Sequence, residues 1–465
     1  MAIRIGLYRF FIFQSYIFNL YVAFATFTPT MKTKQIKKDK VNIITLGCSK
    51  NMVDSEVLSG QLMANDIEAV HESTKKDHNI VVINTCGFIE KAKEESIQHI
   101  LDHVDLKKKG KLDKVFVTGC LSERYRESLE QEIPEVDAYF GTLELPQILQ
   151  KFNADFKSEL VGERMLSTPS HYAYLKISEG CNRTCSFCAI PLMRGKHVSR
   201  TMESLVEEAT SLVKKGVKEI MVIAQELTYY GLDIYKRRAL PELLHKLADI
   251  EGLEWIRLHY AYPSKFPLEI IDVMKERKNI CNYLDMPLQH ASNRMLTAMK
   301  RQITREEMED LIGEIRSRIP DICIRTTLIA GFPGETREDV EELKDFLTRM
   351  RFDRVGIFTY SHEEQTSAFD LQDDIPAEEK EERAREIMDL QQEISLEKNQ
   401  EKLGKTMTVL VDRKETGRYL GRTAFDSVEV DNEVIIQTTK KLQPGTFVEV
   451  KITKAYDYDL EGELI

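Results

Sequence analysis

Residues 173–188, AYLKISEGCNRTCSFC, join a short apolar run to three closely spaced cysteines. The run at 173–177 is typical of a buried strand, and Cys181, Cys185 and Cys188 follow it with C-x3-C-x2-C spacing. Iron–sulfur clusters are usually held by four cysteine thiolates, and no fourth cysteine follows nearby. Three thiolates can hold one face of a cubane and leave one iron open to an exogenous ligand. The segment therefore predicts an iron–sulfur cluster in a loop that follows a strand.

The chain around this segment alternates strand-like and helical patterns. Strand-like runs lie at 173–177, 219–224, 255–260, 282–286, 323–329 and 354–360. Short β-branched runs separated by helices predict a parallel sheet covered by helices. Six such units favour a partial (β/α)6 barrel of the TIM type, open on one side, with an open doubly wound sheet as the alternative. In TIM-type folds the loops after the strands carry the chemistry, and the three cysteines lie in such a loop.

Zinc and a redox-active dithiol are the alternatives for these cysteines. A structural zinc site usually takes four ligands in paired spacings. The nearest histidine, His197, lies nine residues beyond Cys188, and Pro191 ends the segment. The spacing therefore favours a cluster over zinc.

A second set of cysteines, Cys48, Cys86 and Cys120, is spread over the N-terminal part of the chain, and each follows an apolar run. The runs alternate with helical stretches, which predicts a parallel α/β domain. Because the carboxyl ends of adjacent parallel strands meet at one crevice, we expect the three thiols to meet there. Glycines beside them, at positions 47, 87 and 119, permit close backbone approach. Three separately buried thiols are the alternative, and the repeated pattern favours a second three-cysteine cluster.

The last part of the chain changes character after residue 375. Pro376 opens a highly charged helical stretch, which we expect to be a solvated connector. Beyond it, short alternating runs and turn signals such as Pro444-Gly445 predict a small antiparallel β-barrel. The expected strands lie at 407–411, 427–430, 434–437 and 447–452. The remaining cysteines, Cys281 and Cys323, begin apolar runs, and we expect them to be core thiols.

Composition places the chain among ordinary globular proteins, with 42% hydrophobic and 30% charged residues. The net charge of −11 argues against nucleic-acid binding through bulk electrostatics. Eight cysteines in 465 residues are too few for a disulfide scaffold. Their grouping suits metal binding in a reducing compartment, so we expect a cytoplasmic protein.

The first 40 residues need a separate interpretation. Residues 11–27 are uncharged and aromatic-rich and follow Arg4 and Arg9, as in a signal peptide or membrane anchor. The stretch is short for a membrane span and contains polar residues such as Gln14. We expect residues 1–40 to be a disordered extension or the product of a misassigned start, with Met31 as the first residue and no membrane association.

The C-x3-C-x2-C run, with Phe187 before its last cysteine, resembles the signature of the radical S-adenosylmethionine superfamily. The resemblance implies a [4Fe–4S] cluster on the three cysteines whose open iron binds S-adenosylmethionine and helps to cleave it to a 5′-deoxyadenosyl radical. It also implies that the turn containing Gly331, Gly334 and Glu335 contacts the adenosine part. Gln225 would contact the methionine part, with an ordinary loop residue as the equal alternative.

Other polar residues near predicted strand ends are weaker candidates, because a lone histidine or arginine there is as often a structural hydrogen-bonding residue. They are Arg257, His259, Gln289, His290 and Arg325.

Taken together, the two cysteine sets resemble those of the methylthiotransferases. These enzymes join an N-terminal methylthiotransferase domain, a radical barrel and a C-terminal TRAM barrel, and the resemblance covers nearly all of 41–465. The expected boundaries are 41–155, 165–375 and 404–465 for the three domains, with a helical connector at 376–403.

Within the first domain, residues 47–56, GCSKNMVDSE, resemble the branch that modifies a ribosomal protein. The resemblance implies a second [4Fe–4S] cluster on Cys48, Cys86 and Cys120. It implies C–H to C–SCH3 conversion at the β-carbon of an aspartate in small-subunit ribosomal protein twelve, with an electron donor such as flavodoxin or ferredoxin. Ser49 and Asn51 also suit caps for the helix that starts here.

Transfer RNA is the alternative substrate, because the transfer-RNA-modifying branches share all six cysteines. Residues 402–465 contain ten Lys plus Arg and eleven Asp plus Glu, a net charge of 10 − 11 = −1. A barrel that grips RNA phosphates should carry a positive excess. The charge therefore favours a basic protein substrate. A radical enzyme of another reaction class and a non-catalytic metal scaffold also remain open.

Overall fold

The computed structural model describes residues 39–75, 77–157 and 163–465, so the predicted N-terminal extension lies almost wholly outside the described residues. The described part contains two parallel sheets, a closed barrel and a two-stranded ribbon. Among its helices, none is long and apolar enough to cross a membrane.

The first sheet and its helices form the N-terminal domain. Its elements are β1 (Lys40–Thr45), α1 (Ser49–Met63), β2 (Glu68–His71), β3 (Ile80–Thr85), α2 (Glu90–Lys108), β4 (Lys114–Gly119), α3 (Cys120–Glu132), β5 (Ala138–Tyr139) and α4 (Leu145–Gln150). The strands are parallel and lie in the order β2-β1-β3-β4-β5. The central strand β3 is buried along its whole length, which explains its continuous apolar run. The order reverses between β1 and β3, and the crevice at such a switch point is where open α/β sheets bind ligands.

The second sheet carries the C-x3-C-x2-C loop. Its strands and helices, with the ribbon β7–β8, are β6 (Tyr172–Lys176), β7 (Ser178–Glu179), α5 (Ile190–Arg194), β8 (Val198–Ser199), α6 (Met202–Lys214), β9 (Glu219–Ile223), α7 (Leu240–Ala248), β10 (Trp255–Leu258), α8 (Glu269–Glu276), β11 (Ile280–Asp285), α9 (Asn293–Ala298), α10 (Arg305–Arg318), β12 (Cys323–Ala330), α11 (Arg337–Met350) and β13 (Arg354–Thr359).

The six strands of this sheet lie in sequential order from β6 to β13, and all are parallel. A doubly wound sheet would reverse its order at one point, so the structure confirms the partial barrel. The outer face packs against the helices in the largest apolar core of the described residues. Cys281 and Cys323 are both buried, as predicted, and lie in a separate cluster with Trp255 and Tyr283.

The connector helix α12 (Ala377–Gln400) differs from its prediction. Ile387 and Ile394 belong to the barrel core, and Gln391 donates to the Phe352 carbonyl at 3.1 Å. The helix is therefore solvated on one face only. The many charged residues of α12 mask the few apolar positions of its buried face, so the sequence pattern did not reveal that face.

The C-terminal domain is a closed five-stranded barrel. Its strands are β14 (Thr406–Glu415), β15 (Arg418–Thr423), β16 (Val434–Gln437), β17 (Phe447–Ala455) and β18 (Leu460–Leu464). The pairing is antiparallel except between β16 and β18, which are parallel. The small barrel is confirmed, with this one exception to antiparallel pairing.

The predicted strand at 427–430 is wrong, because these residues lie in the loop between β15 and β16. The loop packs against the base of the second sheet. Ser427 Oγ lies 3.0 Å from His259 Nε2, and Tyr283 donates to Asp431 at 2.7 Å. Contact with the large barrel, not strand pairing, accounts for its apolar character.

Candidate active site

The structure brings Cys48, Cys86 and Cys120 to one edge of the first sheet. Cys48 directly precedes α1, Cys86 follows β3, and Cys120 is the first residue of α3. Burial, together with the nearby Cys48 and Cys86, raises the pKa of the Cys120 thiol to about 12 although Arg194 lowers it. The three thiols are thus electrostatic neighbours, as the strand-end argument predicts. We call them the sheet triad.

Glycine next to the sheet triad is needed for space. Gly47 has a φ of +92°, and a Cβ built on it would lie 2.8 Å from Cys86 Cβ and 2.9 Å from Cys86 Sγ. A Cβ on Gly87 would lie 2.9 Å from the Cys120 carbonyl carbon. Only glycine lets these loops approach so closely.

Asn51 corrects one sequence-based expectation. The N-cap of α1 is Cys48, and no side chain caps the helix. The Asn51 amide instead donates to Leu46 O at 2.7 Å and to Thr85 O at 3.1 Å, which ties the loop after β1 to the end of β3. Asn51 thus fixes the loop that carries Cys48 relative to the strand end that precedes Cys86.

The second set, Cys181, Cys185 and Cys188, lies in one loop between β7 and α5 and is called the loop triad. Burial raises the pKa of Cys181 to about 11 and that of Cys188 to about 12, with Cys185 adding to both shifts. The loop is anchored at Ser186, whose amide donates to Met299 O at 3.1 Å and whose hydroxyl donates to Ala298 O at 2.8 Å.

Two arginines and a tyrosine surround the loop triad. Arg301 Nη1 lies 3.2 Å from Cys185 Sγ, and Arg183 pairs with Glu226 at 3.1 Å. Both guanidinium groups lie over the ring of Tyr262, at 4.2 Å and 3.8 Å from its centroid. Arg183 lowers the pKa of Cys181 and Arg301 lowers that of Cys188, although burial outweighs both effects.

A buried ionic network joins the two triads. Arg194, at the end of the helix that follows Cys188, pairs with Asp54 at 2.7 Å and with Glu179 at 3.2 Å, and it also contacts Asn51. Although burial raises the pKa of Glu179, the neighbouring Lys176 and Arg194 lower it to about 2. The Glu179 carboxylate therefore stays ionised within the network, and the network fixes the first domain on the barrel.

The apolar contact between the triads is equally close. Cys120, Ala189 and Met193 form one buried cluster, so α5 packs directly on the start of α3. Thr142 Oγ1 also donates to Met193 O at 2.7 Å. The segment that follows Cys188 and the start of α3, which carries Cys120, are thus in direct contact.

The residues predicted to contact S-adenosylmethionine differ in whether their polar groups already have partners within the protein. Gln225 donates to Glu179 at 2.9 Å, and its Oε1 has no hydrogen-bond partner in the described residues. Gly331 and Gly334 both have positive φ, at +77° and +76°. Glu335 is 4% exposed. Its Oε1 accepts hydrogen bonds from Gly331 N at 3.0 Å and from Arg383 at 2.8 Å. The structure gives Glu335 a role in shaping the glycine turn, and the contact to S-adenosylmethionine stays a prediction.

The weaker candidates are engaged inside the protein. Arg257 pairs with Glu219 at 2.8 Å and donates to Ala424 O at the base of the barrel. Arg325 lies 3.3 Å from Asp431 of the C-terminal domain, and His259 contacts Ser427 of the same domain. These side chains couple the large barrel to the small one.

The other two weaker candidates lie at the glycine turn. His290 lies 3.3 Å from Glu335, and Gln289, with a φ of +78°, pairs its backbone with that of β12.

Sequence reasoning missed Arg194, Tyr262 and Arg301. Arg194 lies six residues after Cys188 in the cysteine-bearing segment, so its position was the only local signal. Tyr262 and Arg301 reach the loop triad from distant loops, and no pattern along the chain connects them to it.

The donor set tests whether iron–sulfur clusters fit. Within the described ranges, no three side chains from His, Cys, Asp and Glu converge closely enough to enclose a single metal ion. Each triad offers three sulfur ligands, the ligand type that iron–sulfur clusters require. The donor set of each triad therefore fits such a cluster.

Family models match three parts of the chain. Residues 40–141 match the uncharacterized protein family UPF0004, residues 175–347 match the radical SAM superfamily, and residues 403–465 match the TRAM domain.

Curated relatives match nearly the whole chain. A protein of Flavobacterium psychrophilum named ribosomal protein uS12 methylthiotransferase RimO is 59% identical, with 93% of this chain and all of the relative covered. Proteins of the same name from Cytophaga hutchinsonii and Bacteroides thetaiotaomicron are 58% and 51% identical. Their matches cover 94% and 92% of this chain and 100% and 99% of the relatives.

Solved structures support the fold. The radical S-adenosylmethionine methyltransferase TsrM of Kitasatospora setae, with tryptophan and a SAM analogue bound, superposes with a TM-score of 0.52 at 16% identity. The match covers 69% of this chain and 72% of that one. TsrM with cobalamin and a [4Fe–4S] cluster bound gives a TM-score of 0.50 over the same shares.

Proposed function

The chain belongs to the family of ribosomal protein uS12 methylthiotransferases, which are radical S-adenosylmethionine enzymes, and we propose that it adds a methylthio group to uS12. The observation that carries the proposal is the pair of cysteine triads on segments that are in direct contact, with Cys120 packed against Ala189 next to Cys188. A radical enzyme that only abstracts hydrogen needs the loop triad alone. The sheet triad gives this chain a second place for a sulfur-binding cluster beside the first.

Each triad suits one [4Fe–4S] cluster with an open iron. When bound, the cluster on Cys181, Cys185 and Cys188 supplies the electron that cleaves S-adenosylmethionine, and the cluster on Cys48, Cys86 and Cys120 supplies a site for transferable sulfur. An electron donor such as flavodoxin or ferredoxin fits the loop-triad chemistry.

The chain's own residues hold and shield these groups. Arg301 and Arg183, with Tyr262 between them, set a positive, partly aromatic wall beside Cys185. Arg194 and Lys176 hold the first domain on the barrel through Asp54 and Glu179. The rigid network fixes the separation of the triads, which a transfer between two sites requires.

The turn at Gly334 suits the adenosine part of S-adenosylmethionine, because a backbone without a Cβ atom lets a ligand approach closely. At Gly331 the corresponding space is taken by the Lys380 side chain. A Cβ on Gly334 would meet only Arg294, at 3.9 Å, so the turn is open on that side. Gln225 Oε1, which lacks a partner among the described residues, suits an ammonium or amide donor such as the methionine amino group.

The proposed reaction replaces a C–H bond by C–SCH3 at the β-carbon of an aspartate in uS12. The C-terminal barrel supports a protein substrate over transfer RNA, because residues 402–465 have a net charge of 10 − 11 = −1. An acidic enzyme also suits a basic ribosomal protein.

The test uses the anaerobically reconstituted enzyme with a reductant, S-adenosylmethionine and uS12. Mass spectrometry should find one methylthio group on uS12, located on an aspartate by fragmentation. Active cleavage of S-adenosylmethionine with an unchanged uS12 mass would contradict the substrate. Methylthiolation of transfer RNA in the parallel reaction would select the alternative.

A further inference from the structure

Lys50 is a buried lysine beside the sheet triad. The residue is 7% exposed and lies in the first turn of α1, two residues after Cys48. Its Nζ lies 3.2 Å from the centroid of the Tyr260 ring. A desolvated lysine over an aromatic face gains a cation–π interaction, but its charge still lacks a counter-ion.

The acids around Lys50 are already paired. Asp54, one helical turn away, gives one carboxylate oxygen to Lys176 and the other to Arg194. Glu179 is shared by the same two cations. Within residues 39–75, 77–157 and 163–465, Lys50 makes neither an ion pair nor a hydrogen bond through its ammonium group.

The Tyr260 side of the contact is held in an unusual conformation. Tyr260 follows β10 with a φ of +67°, a region that non-glycine residues rarely adopt. Its amide donates to Asp285 at 3.3 Å, and its carbonyl accepts from Leu227 at 3.2 Å. Such backbone is often found at ligand sites. Here it presents the ring beneath the lysine.

The contact is close in sequence to both triads. Lys50 is two residues from Cys48 of the sheet triad. Tyr260 is two residues from Tyr262, whose hydroxyl lies 3.8 Å from Cys185 Sγ of the loop triad. The two residues of the contact thus belong to the same segments as Cys48 and as the Tyr262 that reaches Cys185.

We propose that the Lys50 ammonium binds the side-chain carboxylate of the target aspartate. The proposal rests on the proposed function. In aspartate the β-carbon is bonded directly to the carboxylate carbon, so holding the carboxylate presents the reacting C–H within one bond of the anchor. The free cation selects an acidic side chain, and burial strengthens its preference over the neutral amide of asparagine. Lys50 is thus a specificity-determining residue.

The test is a double-mutant cycle on the holoenzyme with both clusters loaded. Its members are wild type and Lys50→Met, each with uS12 and with uS12 whose target aspartate is replaced by asparagine. We expect either change alone to weaken uS12 binding at least about 10-fold. In Lys50→Met the asparagine replacement should have no further effect. Independent, multiplicative effects would overturn the proposal.

Three controls separate this proposal from others. Lys50→Arg retains the charge and should recover most of the affinity for uS12. Lys414→Met removes an exposed lysine that also lies over a tyrosine ring, 5.6 Å from Tyr419, and should leave binding unchanged. If Lys50→Met fails to load iron, Lys50→Gln carries the same cycle.

The remaining arms identify the source of the carboxylate. S-adenosylmethionine also has one, so its KM is measured for 5′-deoxyadenosine formation. A raised KM for S-adenosylmethionine with unchanged uS12 affinity would overturn the assignment to the target aspartate. If wild type modifies uS12 and the cycle is additive, the Lys50 proposal fails and the function stands. If wild type leaves uS12 unmodified, the function itself fails.

Discussion

The two cysteine triads are built in opposite ways. Cys181, Cys185 and Cys188 lie within one loop, so the chain brings them together before any long-range contact forms. The sheet triad is taken from three loops that meet only after β1, β3 and β4 have paired in register. The loop triad is therefore a local property of the chain, and the sheet triad is a property of the fold.

Because they are built differently, the two triads should be sensitive to different substitutions. The loop triad depends on anchors for a single loop, such as the hydrogen bonds of Ser186. The sheet triad depends on backbone spacing at Gly47 and Gly87 and on the bridge made by Asn51. Changes in sheet packing should thus impair sulfur insertion before they impair radical formation.

The largest expected effect separates the triads by their products. Cys185→Ala should abolish both 5′-deoxyadenosine formation and methylthiolation, because it removes a loop-triad ligand. Cys86→Ala should abolish methylthiolation alone. Cys281→Ala, in the core, should keep both products. The measurement is chromatography of both products, and loss of 5′-deoxyadenosine in Cys86→Ala would show that the triads do not act separately.

A second prediction concerns the space beside the sheet triad. Gly47→Ala adds a Cβ 2.8 Å from Cys86 Cβ at a φ of +92°. We expect backbone strain of about 1–2 kcal/mol and, in addition, a steric clash with Cys86. The variant should therefore lose iron from the sheet triad only. Gly110→Ala, at a φ of +67° with no atom within 4 Å, is the matched control and should have the strain alone. Equal iron content in both variants would contradict this account.

A third prediction concerns the network between the triads. Arg194→Met leaves Asp54 and Glu179 short of a buried partner and should lower the free energy of unfolding by about 3–5 kcal/mol. Arg413→Met breaks an exposed pair with Glu433 and should cost at most about 1 kcal/mol. Denaturant titration measures both. A small effect at Arg194 would mean that the first domain is held mainly by apolar contacts.

The smallest effect is expected at the contact between the large barrel and the C-terminal domain. Ser427→Ala removes the contact with His259 at 3.0 Å and should cost about 1 kcal/mol, without loss of iron from either triad. Ser317→Ala, on an exposed helix surface, should change the free energy of unfolding by less than about 0.5 kcal/mol. Iron loss in Ser427→Ala would show that the contact with the C-terminal domain supports a triad.

The sequence predicted features that repeat along the chain. Apolar runs located the six barrel strands, and the glycine–cysteine pattern at strand ends located the sheet triad. The sequence did not predict features that depend on contacts between residues far apart along the chain. The loop at 427–430 looks like a strand because it packs on the large barrel, and α12 looks solvated because charged residues mask its buried Ile387.

The site itself was predicted only in part, for the same reason. Cysteine spacing predicted the ligands, but Tyr262 and Arg301 approach the loop triad from loops about 75 to 120 residues away along the chain. The sequence predicts that Asn51 caps its helix, but in the structure its side-chain amide donates to the carbonyl of Thr85 at the end of the neighbouring strand.

The most direct test of two separate clusters is iron counting on the anaerobically reconstituted chain and on two triple-alanine variants, one for each triad. Two cubanes predict about eight irons per chain in the wild type and about four in each variant. About four irons in the wild type, unchanged when Cys48, Cys86 and Cys120 are replaced, would contradict the account.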